Sequence, residues 1–244
     1  MKYVFGPVIS RRLGISLGIN ITPYKTCSFN CIYCECGHST VLTDTLKEYV
    51  PYKDVIDEIE QVLSKHPMID VVTFSGSGEP TLHSRIGEMI KYIKSNFPAY
   101  KVAVLTNSSM LHREEVRRNI INADIISPSL DAVSPDVFKK IDRPIPGIDP
   151  AVIIDSLVQL RKEFTGKLFL EIFIINKLND TPEELAKLKD ACTKISPDEI
   201  HINSLDRSGS EDWVKPIEAE TLKRTGDFFS PLPVKLVTKR ETTD

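Results

Sequence analysis

The stretch CSFNCIYCECG, residues 27–37, places four of the chain's five cysteines within ten positions. It comes shortly after LGISLGINI, residues 13–21, whose apolar and β-branched residues predict a buried strand. A loop this rich in thiols could form disulfides, a structural zinc site, a redox-active dithiol or an iron–sulfur site. The remainder of the sequence discriminates among these four.

Composition and charge narrow the compartment and the partners. The chain has 244 residues, 41% of them hydrophobic, and a formal net charge of -3 without a long lysine or arginine block. It can bury a large core, and it lacks the overall positive charge typical of nucleic-acid binders. The N-terminal MKYVFGPVIS has no signal-peptide core, and no run reaches the about 18 apolar residues of a membrane span. We therefore expect a cytoplasmic protein without membrane association, whose reduced thiols make disulfides unsuitable.

Apolar runs alternate with amphipathic segments along nearly the whole chain. After the strand at 13–21, strands are predicted at 70–76, 100–107, 123–131, 167–175 and 198–205, with an edge strand at 233–238. Helices are predicted at 52–66, 85–97, 112–121, 135–142, 149–164, 181–195 and 218–229. Asp149 before Pro150, and Thr181 before Pro-Glu-Glu, are typical helix starts.

Six strand–helix units in succession favour an α/β fold with a parallel sheet and right-handed crossovers. A closed barrel needs eight units, so we predict an open, partial (β/α)6 TIM-like barrel. We expect one domain over 1–244, with a cysteine loop at 22–38 and a C-terminal segment, about 206–244, closing the barrel side. Ligands of such folds bind beyond the carboxyl ends of the strands, so functional residues should follow each strand.

Cys27, Cys31 and Cys34 have the spacing C-x3-C-x2-C. A structural zinc usually takes its ligands from two separated pairs, and a thioredoxin-like site needs only an isolated C-x-x-C. Thiolates gathered in one loop favour a [4Fe–4S] cluster, which normally has four cysteine ligands; with three, one iron stays open to another ligand. Cys36 could be a fourth ligand or a bystander, and Cys192 is most simply a core residue.

CSFNCIYC resembles the C-x3-C-x-aromatic-C signature of radical S-adenosylmethionine (radical SAM) enzymes. The resemblance implies that Cys27, Cys31 and Cys34 bind a [4Fe–4S] cluster, and that S-adenosylmethionine (SAM) chelates the open iron. In that superfamily the cluster cleaves SAM reductively to a 5′-deoxyadenosyl radical, which abstracts hydrogen from a substrate. The resemblance also implies that Tyr33 lies where the adenine packs.

Polar residues at further strand ends agree with this resemblance. FSGSGEP (74–80) resembles the superfamily's Gly-Gly-Glu-Pro motif. A glycine there lets the backbone approach the cofactor, so we expect a side chain at Gly78 to block only the cofactor's approach. Asp131 could cap a helix instead of contacting SAM. Glu171 lies in an apolar strand and therefore requires a polar partner, either the cofactor or an Arg or Lys. The residues expected to contact SAM are Tyr33, Ser77, Gly78, Glu79, Asn107, Ser109, Ser129, Asp131 and Glu171.

The N-terminal stretch 3–27, KKIDRP (139–144) and NKLND (176–180) resemble a subgroup related to the wybutosine-synthesis radical SAM enzyme of tRNA modification. The resemblance implies a low-potential electron donor of the flavodoxin or ferredoxin type, and a small-molecule, peptide or RNA substrate that stays unidentified. The alternatives are tRNA base modification of the wybutosine type and a non-catalytic Fe–S or zinc-binding scaffold. Candidate substrate-side cations are Arg11, Arg12, Lys140, Arg143 and Arg207, and Trp213 could cover the open side.

Overall fold

The computed structural model of the protein describes residues 1–238, so the end of the predicted segment 206–244 lies outside it. Its strands are β1 (Val4–Ser10), β2 (Gly14–Ile19), β3 (Thr26–Cys27), β4 (Val41–Leu42), β5 (Val71–Phe74), β6 (Lys101–Thr106), β7 (Ile125–Pro128), β8 (Lys167–Phe173), β9 (Glu199–Asn203) and β10 (Val234–Leu236). Its α-helices are α1 (Tyr52–Leu63), α2 (Ile86–Asn96), α3 (Glu114–Ile120), α4 (Pro135–Ile141), α5 (Pro150–Glu163), α6 (Pro182–Ile195) and α7 (Ala219–Phe228). Every predicted strand and helix is present, and each lies within its predicted range. No helix in the described part of the chain has the length and apolar character to cross a membrane.

Eight strands form one sheet in the order β1-β2-β5-β6-β7-β8-β9-β10. Every neighbouring pair from β2 to β10 is parallel. Because β1 and β10 lie at opposite edges, the sheet does not close within residues 1–238. The predicted α/β fold with an open, partial barrel is therefore confirmed. Short strands β3 and β4 pair with each other beside the cysteine loop.

The edge strand β1 was not predicted. It pairs antiparallel with β2, with Val4 opposite Ile19. Gly6 and Pro7 interrupt its apolar alternation, which argues against a strand when only the sequence is read. In the structure most of its side chains are exposed, as suits an edge. β1 forms because it supplies hydrogen-bond partners to an edge of β2 that would otherwise have none. The pairing creates a turn at 11–13, which carries two arginines.

Two helices begin where their first residues predict. The Asp149 carboxylate accepts a hydrogen bond from the Ala151 N–H at 2.8 Å, and Pro150 is the first residue of α5. The Thr181 hydroxyl accepts from the Glu184 N–H at 3.3 Å at the start of α6. Both caps satisfy N–H groups that have no partner within their helix.

Buried strands and helices form the core that supports the cysteine loop. All four residues of β5 are buried, as is typical of a parallel sheet covered on both faces. Cys192 of α6 is fully buried in the main core, as its position in an apolar helix face predicts. A smaller apolar cluster joins the cysteine loop to the end of β8 and to the chain after β9; its members are Ile32, Ile141, Phe173, Ile175, Leu205 and Val214. This cluster holds the loop at the carboxyl end of the sheet.

Candidate active site

A cleft of about 220 Å³ lies at the carboxyl ends of β2, β5, β6, β7 and β8. The predicted site residues that line it are Cys27, Cys31, Tyr33, Cys34, Gly78, Glu79, Asn107, Ser129 and Glu171. Ser77, Ser109 and Asp131 are not among its lining residues. The fold thus brings most of the predicted set to one place, because parallel strands end on the same side of the sheet.

Cys27 and Cys31 lie on the buried side of the cleft. Burial raises the pKa of the Cys27 thiol to about 12 and raises that of Cys31 well above its ordinary value. The Asn107 amide donates to the Cys27 sulfur at 3.4 Å, and the Cys31 thiol donates to the Asp142 carboxylate at 3.4 Å. Each sulfur therefore has one polar neighbour in an otherwise desolvated position.

Cys34 has the opposite environment. The Lys25 ammonium donates to its sulfur at 3.0 Å. A hydrogen bond from Cys36, together with Lys25, lowers the pKa of the Cys34 thiol to about 5, so a thiolate is favoured. Lys25 is almost fully buried, and its position two residues before the first cysteine is the sequence signal by which it could have been found.

Cys36 lies beside Cys34 and does not line the cleft. Its sulfur is 3.8 Å from the Gly76 carbonyl oxygen, and the neighbouring Cys34 raises its pKa. The Cys36 thiol donates to the Gly76 carbonyl, across the turn from the Cys34 sulfur. The sequence leaves two roles for Cys36, bystander and fourth cluster ligand, and both stay predictions.

The three cleft thiols are the donor type that an iron–sulfur cluster takes. Among residues 1–238, no group of three His, Cys, Asp or Glu side chains is arranged to hold a single metal ion. In a [4Fe–4S] cluster each thiolate binds a different iron, so the thiolates surround the group instead of meeting. Three thiols that open into one cleft agree with that arrangement.

Gly78 and Ser77 hold the GSGEP turn against the cysteine loop. A Cβ atom at Gly78 would lie 2.1 Å from the Thr26 carbonyl oxygen and 2.7 Å from the Thr22 hydroxyl. The Ser77 carbonyl accepts the Lys25 N–H at 2.9 Å. The expectation that a side chain at Gly78 would block only the cofactor is therefore wrong, since it would first displace the backbone next to Cys27.

Glu79 is buried and ties two strand ends together. Its Oε1 atom accepts from the Thr106 hydroxyl at 2.7 Å and from the Thr81 N–H at 3.0 Å, and its Oε2 atom accepts from the Asn107 N–H at 2.7 Å. Burial raises its pKa although these donors oppose the shift. The carboxylate thereby fixes the chain after β6 relative to the turn after β5.

Asn107 and Ser109 connect the end of β6 to the cysteine loop. The Asn107 amide donates to the Ser28 hydroxyl at 2.9 Å, and its oxygen accepts the Ser109 N–H at 3.0 Å. The hydroxyls of Ser109 and Ser28 are 2.6 Å apart and buried. Ser109 thus stands behind the cleft wall, whereas Asn107 faces the cleft.

Tyr33 is held from two sides. Its ring stacks on Phe173, with centroids 4.0 Å apart and planes 10° apart, and its hydroxyl donates to Asp131. Asp131 also accepts the Phe173 N–H at 2.7 Å. It caps no helix, because Ser134 precedes α4, and burial raises its pKa to about 7. Asp131 therefore supports the Tyr33 side chain.

Asp142 was missed by the sequence reading. It is buried, and the burial together with the nearby Asp131 raises its pKa well above the ordinary value. It lies in KKIDRP, where the sequence drew attention to Arg143 instead. A buried carboxyl that accepts the Cys31 thiol is the structural reason to include it.

Glu171 has a protein partner, which is one of the two expected possibilities. Arg12, from the turn at 11–13, donates to its carboxylate, and the Asn203 amide of β9 donates to Oε1 at 2.7 Å. The partner is thus an arginine, and it also lines the cleft.

Ser127 is a further cleft residue that was missed. Its hydroxyl oxygen is buried and has no hydrogen-bond partner among the described residues. A buried hydroxyl without a partner is costly, so a polar group bound in the cleft would complete it. Its two-residue spacing from Ser129 in an extended strand is the signal that places both side chains on the same face.

The other candidate cations lie outside the cleft. Arg143 pairs with Glu211, and Arg207 lies 3.9 Å from Glu35. Trp213 is 56% exposed, and its indole N–H donates to Glu211 at 3.2 Å.

An open α/β barrel with a C-x3-C-x2-C loop at its mouth defines the class of radical SAM enzymes. The family model for the radical SAM superfamily matches residues 21–189, more than half of the chain, and this chain belongs to that superfamily. Its cofactors are accordingly SAM and a [4Fe–4S] cluster.

Curated relatives cover the whole length of the chain. It is 38% identical over 228 residues to the protein named GTPase Obg of Brachyspira hyodysenteriae, covering 93% of this chain and 33% of that protein. It therefore spans about a third of that relative. It is 32% identical over 248 residues to UPF0026 protein MJ1312 of Methanocaldococcus jannaschii, covering 99% of this chain and 76% of the relative.

Solved structures share the fold. SuiB of Streptococcus suis bound to S-adenosylmethionine superposes with a TM-score of 0.66 at 16% identity, over 91% of this chain and 50% of that one. TYW1 with a lysine-pyruvate adduct bound superposes with a TM-score of 0.65 at 18% identity, over 88% of this chain and 72% of that one. At these identities the likeness concerns the partial barrel.

Proposed function

We propose that the protein is an enzyme that cleaves SAM reductively and abstracts hydrogen from a substrate held in the same cleft. Superfamily membership supports SAM-dependent radical chemistry. The observation that carries the proposal is the convergence of three thiols and four further strand ends on one cleft. When bound, the cluster and SAM supply a 5′-deoxyadenosyl radical, and the protein's share is binding and orientation.

Cys27, Cys31 and Cys34 would hold the cluster. Lys25 places a positive charge beside the Cys34 sulfur, which favours the thiolate needed for iron binding. The Asn107 amide donates to the Cys27 sulfur and would fix its direction. The bond from the Cys31 thiol to Asp142 would be given up when that thiol loses its proton to bind iron. These supports are made by the protein itself.

SAM would lie against the residues that face the cleft: Tyr33, Gly78, Asn107, Ser129 and Glu171, with Ser127 as an addition. Of the other predicted contacts, Glu79 also lines the cleft, whereas Ser77, Ser109 and Asp131 do not; all four would act through the residues just named. Glu79, for example, uses both carboxylate oxygens on protein donors and holds Asn107 in place. Stacking on Phe173 keeps one face of Tyr33 fixed.

The sequence supports a compartment and an electron donor for the proposed enzyme. We propose a cytoplasmic enzyme that receives its electron from a low-potential donor of the flavodoxin or ferredoxin type. Wybutosine-type tRNA modification is the second candidate function, and it rests on the resemblance of this chain's motifs to that subgroup. The single domain over 1–244 would be completed by the C-terminal segment at its open side.

The proposal is tested with anaerobically reconstituted protein, SAM and dithionite. We expect slow release of 5′-deoxyadenosine without added substrate. Cys31→Ala should release none, whereas Cys192→Ala, which alters a thiol in the core, should release it as the unchanged protein does. If an intact cluster with abundant reductant yields no 5′-deoxyadenosine, and SAM leaves the EPR signal of the cluster unchanged, a scaffold function replaces catalysis.

A further inference from the structure

The turn at 11–13 sends its two arginines to different places. Arg11 lies 4.0 Å from the Asp206 carboxylate, in the chain after β9. Arg12 enters the cleft that holds the three thiols, and its Nη1 atom donates to Glu171 of β8. The unpredicted strand β1 thus delivers one guanidinium to the wall of the cleft while its neighbour stays outside.

Arg12 is the one cation among the cleft-lining residues of the described chain. Its side chain is 17% exposed and that of Glu171 is 13% exposed. Glu171 has a donor on each oxygen, Arg12 on Oε2 and Asn203 on Oε1. Of the five guanidinium N–H groups of Arg12, one is bonded within residues 1–238. No Arg12 nitrogen is among the buried polar atoms without a partner, so its remaining N–H groups open to solvent at the cleft, where a bound anion would meet them.

Apart from Glu171, the acidic groups that line the cleft have donors of their own. The Cys34 sulfur accepts from Lys25 at 3.0 Å. Glu79 is the other carboxylate there, and its oxygens are used by Thr81, Thr106 and Asn107. The other polar lining residues between the thiols and Arg12 include neutral groups such as Ser127 and Ser129.

We propose that Arg12 binds an anionic group of the substrate, a carboxylate or a phosphate, and thereby selects the substrate class. The planar guanidinium bonds either anion through two parallel N–H groups, and Glu171 with Asn203 orients it. The inference rests on the proposed function, since it takes the cleft to be the place where the substrate meets the reactive centre.

The test measures anion binding to the reconstituted, SAM-loaded protein by calorimetry and NMR line width. The probes are acetate, inorganic phosphate and the uncharged acetamide. The variants are Arg12→Gln, Arg12→Lys, Glu171→Gln and the double variant Arg12→Gln/Glu171→Gln, which leaves no unpaired buried carboxylate. Arg11→Gln is the matched control, because it removes the same charge one position away.

We expect acetate, phosphate or both to bind the unchanged protein and acetamide to bind at least tenfold more weakly. Arg12→Gln and the double variant should weaken anion binding at least tenfold, and Arg12→Lys less. Glu171→Gln should tighten it severalfold by removing the competing carboxylate, and Arg11→Gln should change it less than twofold. Whichever anion binds identifies the group as carboxylate or phosphate.

Four results would overturn the inference. The first is that neither anion binds the unchanged protein. The second is that Arg11→Gln weakens anion binding as much as Arg12→Gln does, and the third is that Glu171→Gln weakens anion binding. A proportional loss of SAM affinity in Arg12→Gln would assign the guanidinium to the cofactor and overturn it as well. If the anion results hold but the unchanged protein never releases 5′-deoxyadenosine, the proposed function fails and the anion site stands.

Discussion

At the scale of single residues, the cysteine loop is held by side chains that the motif does not contain. Lys25 is almost fully buried and donates to the Cys34 sulfur, while Asp142 accepts from Cys31 across 111 positions of sequence. An isolated buried charge is costly, so the Lys25 ammonium and the Cys34 thiolate stabilise each other. The motif supplies the ligands, and these partners supply their direction and charge.

The cysteines differ in their expected effect on the cluster. Replacing Cys27, Cys31 or Cys34 with Ala should abolish the broad iron–sulfur absorbance after reconstitution, because each removes a ligand. Cys36→Ala and Cys192→Ala should retain it, measured by absorbance and by iron and sulfide content. Loss of the cluster in Cys36→Ala would show a site of four thiolates and remove the open iron.

Gly78 offers a prediction about packing. Gly78→Ala would place Cβ 2.1 Å from the Thr26 carbonyl oxygen. Overpacking of this kind costs about 1–3 kcal/mol in the free energy of unfolding, and it should also lower the cluster content. Chemical denaturation and iron analysis measure the two effects.

Gly147→Ala is the matched control for this change. Its φ is +94°, but a Cβ there meets no atom within 4 Å. It should lower the free energy of unfolding through backbone strain while leaving the iron content unchanged. Normal iron content in Gly78→Ala would contradict the role of Gly78 in placing the cysteine loop.

At the scale of secondary-structure elements, the turn after α6 joins three neighbours through one carboxylate. Asp198 accepts from the Leu168 N–H at 2.9 Å, from Arg161 of α5 at 2.7 Å and from Lys167 at 2.9 Å. Burial tends to raise its pKa, but these donors outweigh it and hold the pKa below the ordinary value. The amino end of β8, and so the register that places Glu171, is fixed there.

Asp198→Asn should lower the free energy of unfolding at pH 7 by about 1–2 kcal/mol, since it weakens charge-assisted hydrogen bonds. In the unchanged protein the unfolded state binds the proton more readily than the folded state does. The stabilisation by Asp198 is therefore present above its ordinary pKa of 3.8 and is lost as pH falls through the lower folded value.

Denaturation curves of the two proteins at several pH values test this. The difference between them should be largest near neutrality and should shrink below pH 3.8. Asp57→Asn is the control, because Asp57 pairs with Lys53 at an exposed site, where ion pairs contribute little. A difference that grows as the pH falls would contradict the assigned role.

At the scale of the whole molecule, the strap, residues 207–216, crosses from β9 to the cysteine loop. The Ser210 hydroxyl donates to the Cys31 carbonyl oxygen at 2.7 Å, and the Glu211 N–H donates to the Ile32 carbonyl oxygen at 3.1 Å. Val214 packs in the small apolar cluster with Ile32. Ordering of the cysteine loop by the cluster should therefore also stabilise the strap.

Hydrogen exchange tests this coupling. Reconstitution of the cluster should slow exchange of the strap amides, Glu211 above all, because ligation stabilises the loop that accepts its N–H. The amides of α1, which packs against β1, should exchange at the same rate before and after reconstitution. Equal exchange of the strap before and after reconstitution would contradict the coupling.

The sequence by itself determined the architecture and the class. Alternating apolar periods predicted β2, the strands β5 to β10 and every α-helix, since each period reflects burial on a local scale. They missed β1 and the two-residue strands β3 and β4. The spacing of Cys27, Cys31 and Cys34 predicted the cofactor class, because ligands in one loop are neighbours in any fold. It also placed the functional residues at strand ends.

Only the tertiary structure decided which of those residues face the cleft and what holds them. Ser109 and Asp131 support their neighbours, and Ser127 and Asp142 were not predicted as site residues. Of the five candidate cations, only the structure shows that Arg12 is the one that lines the cleft. Arg12 meets Glu171 across 159 positions of sequence, and only the pairing of β1 with β2 brings the two together. Contacts of this range depend on how distant segments pack, so no local spacing encodes them.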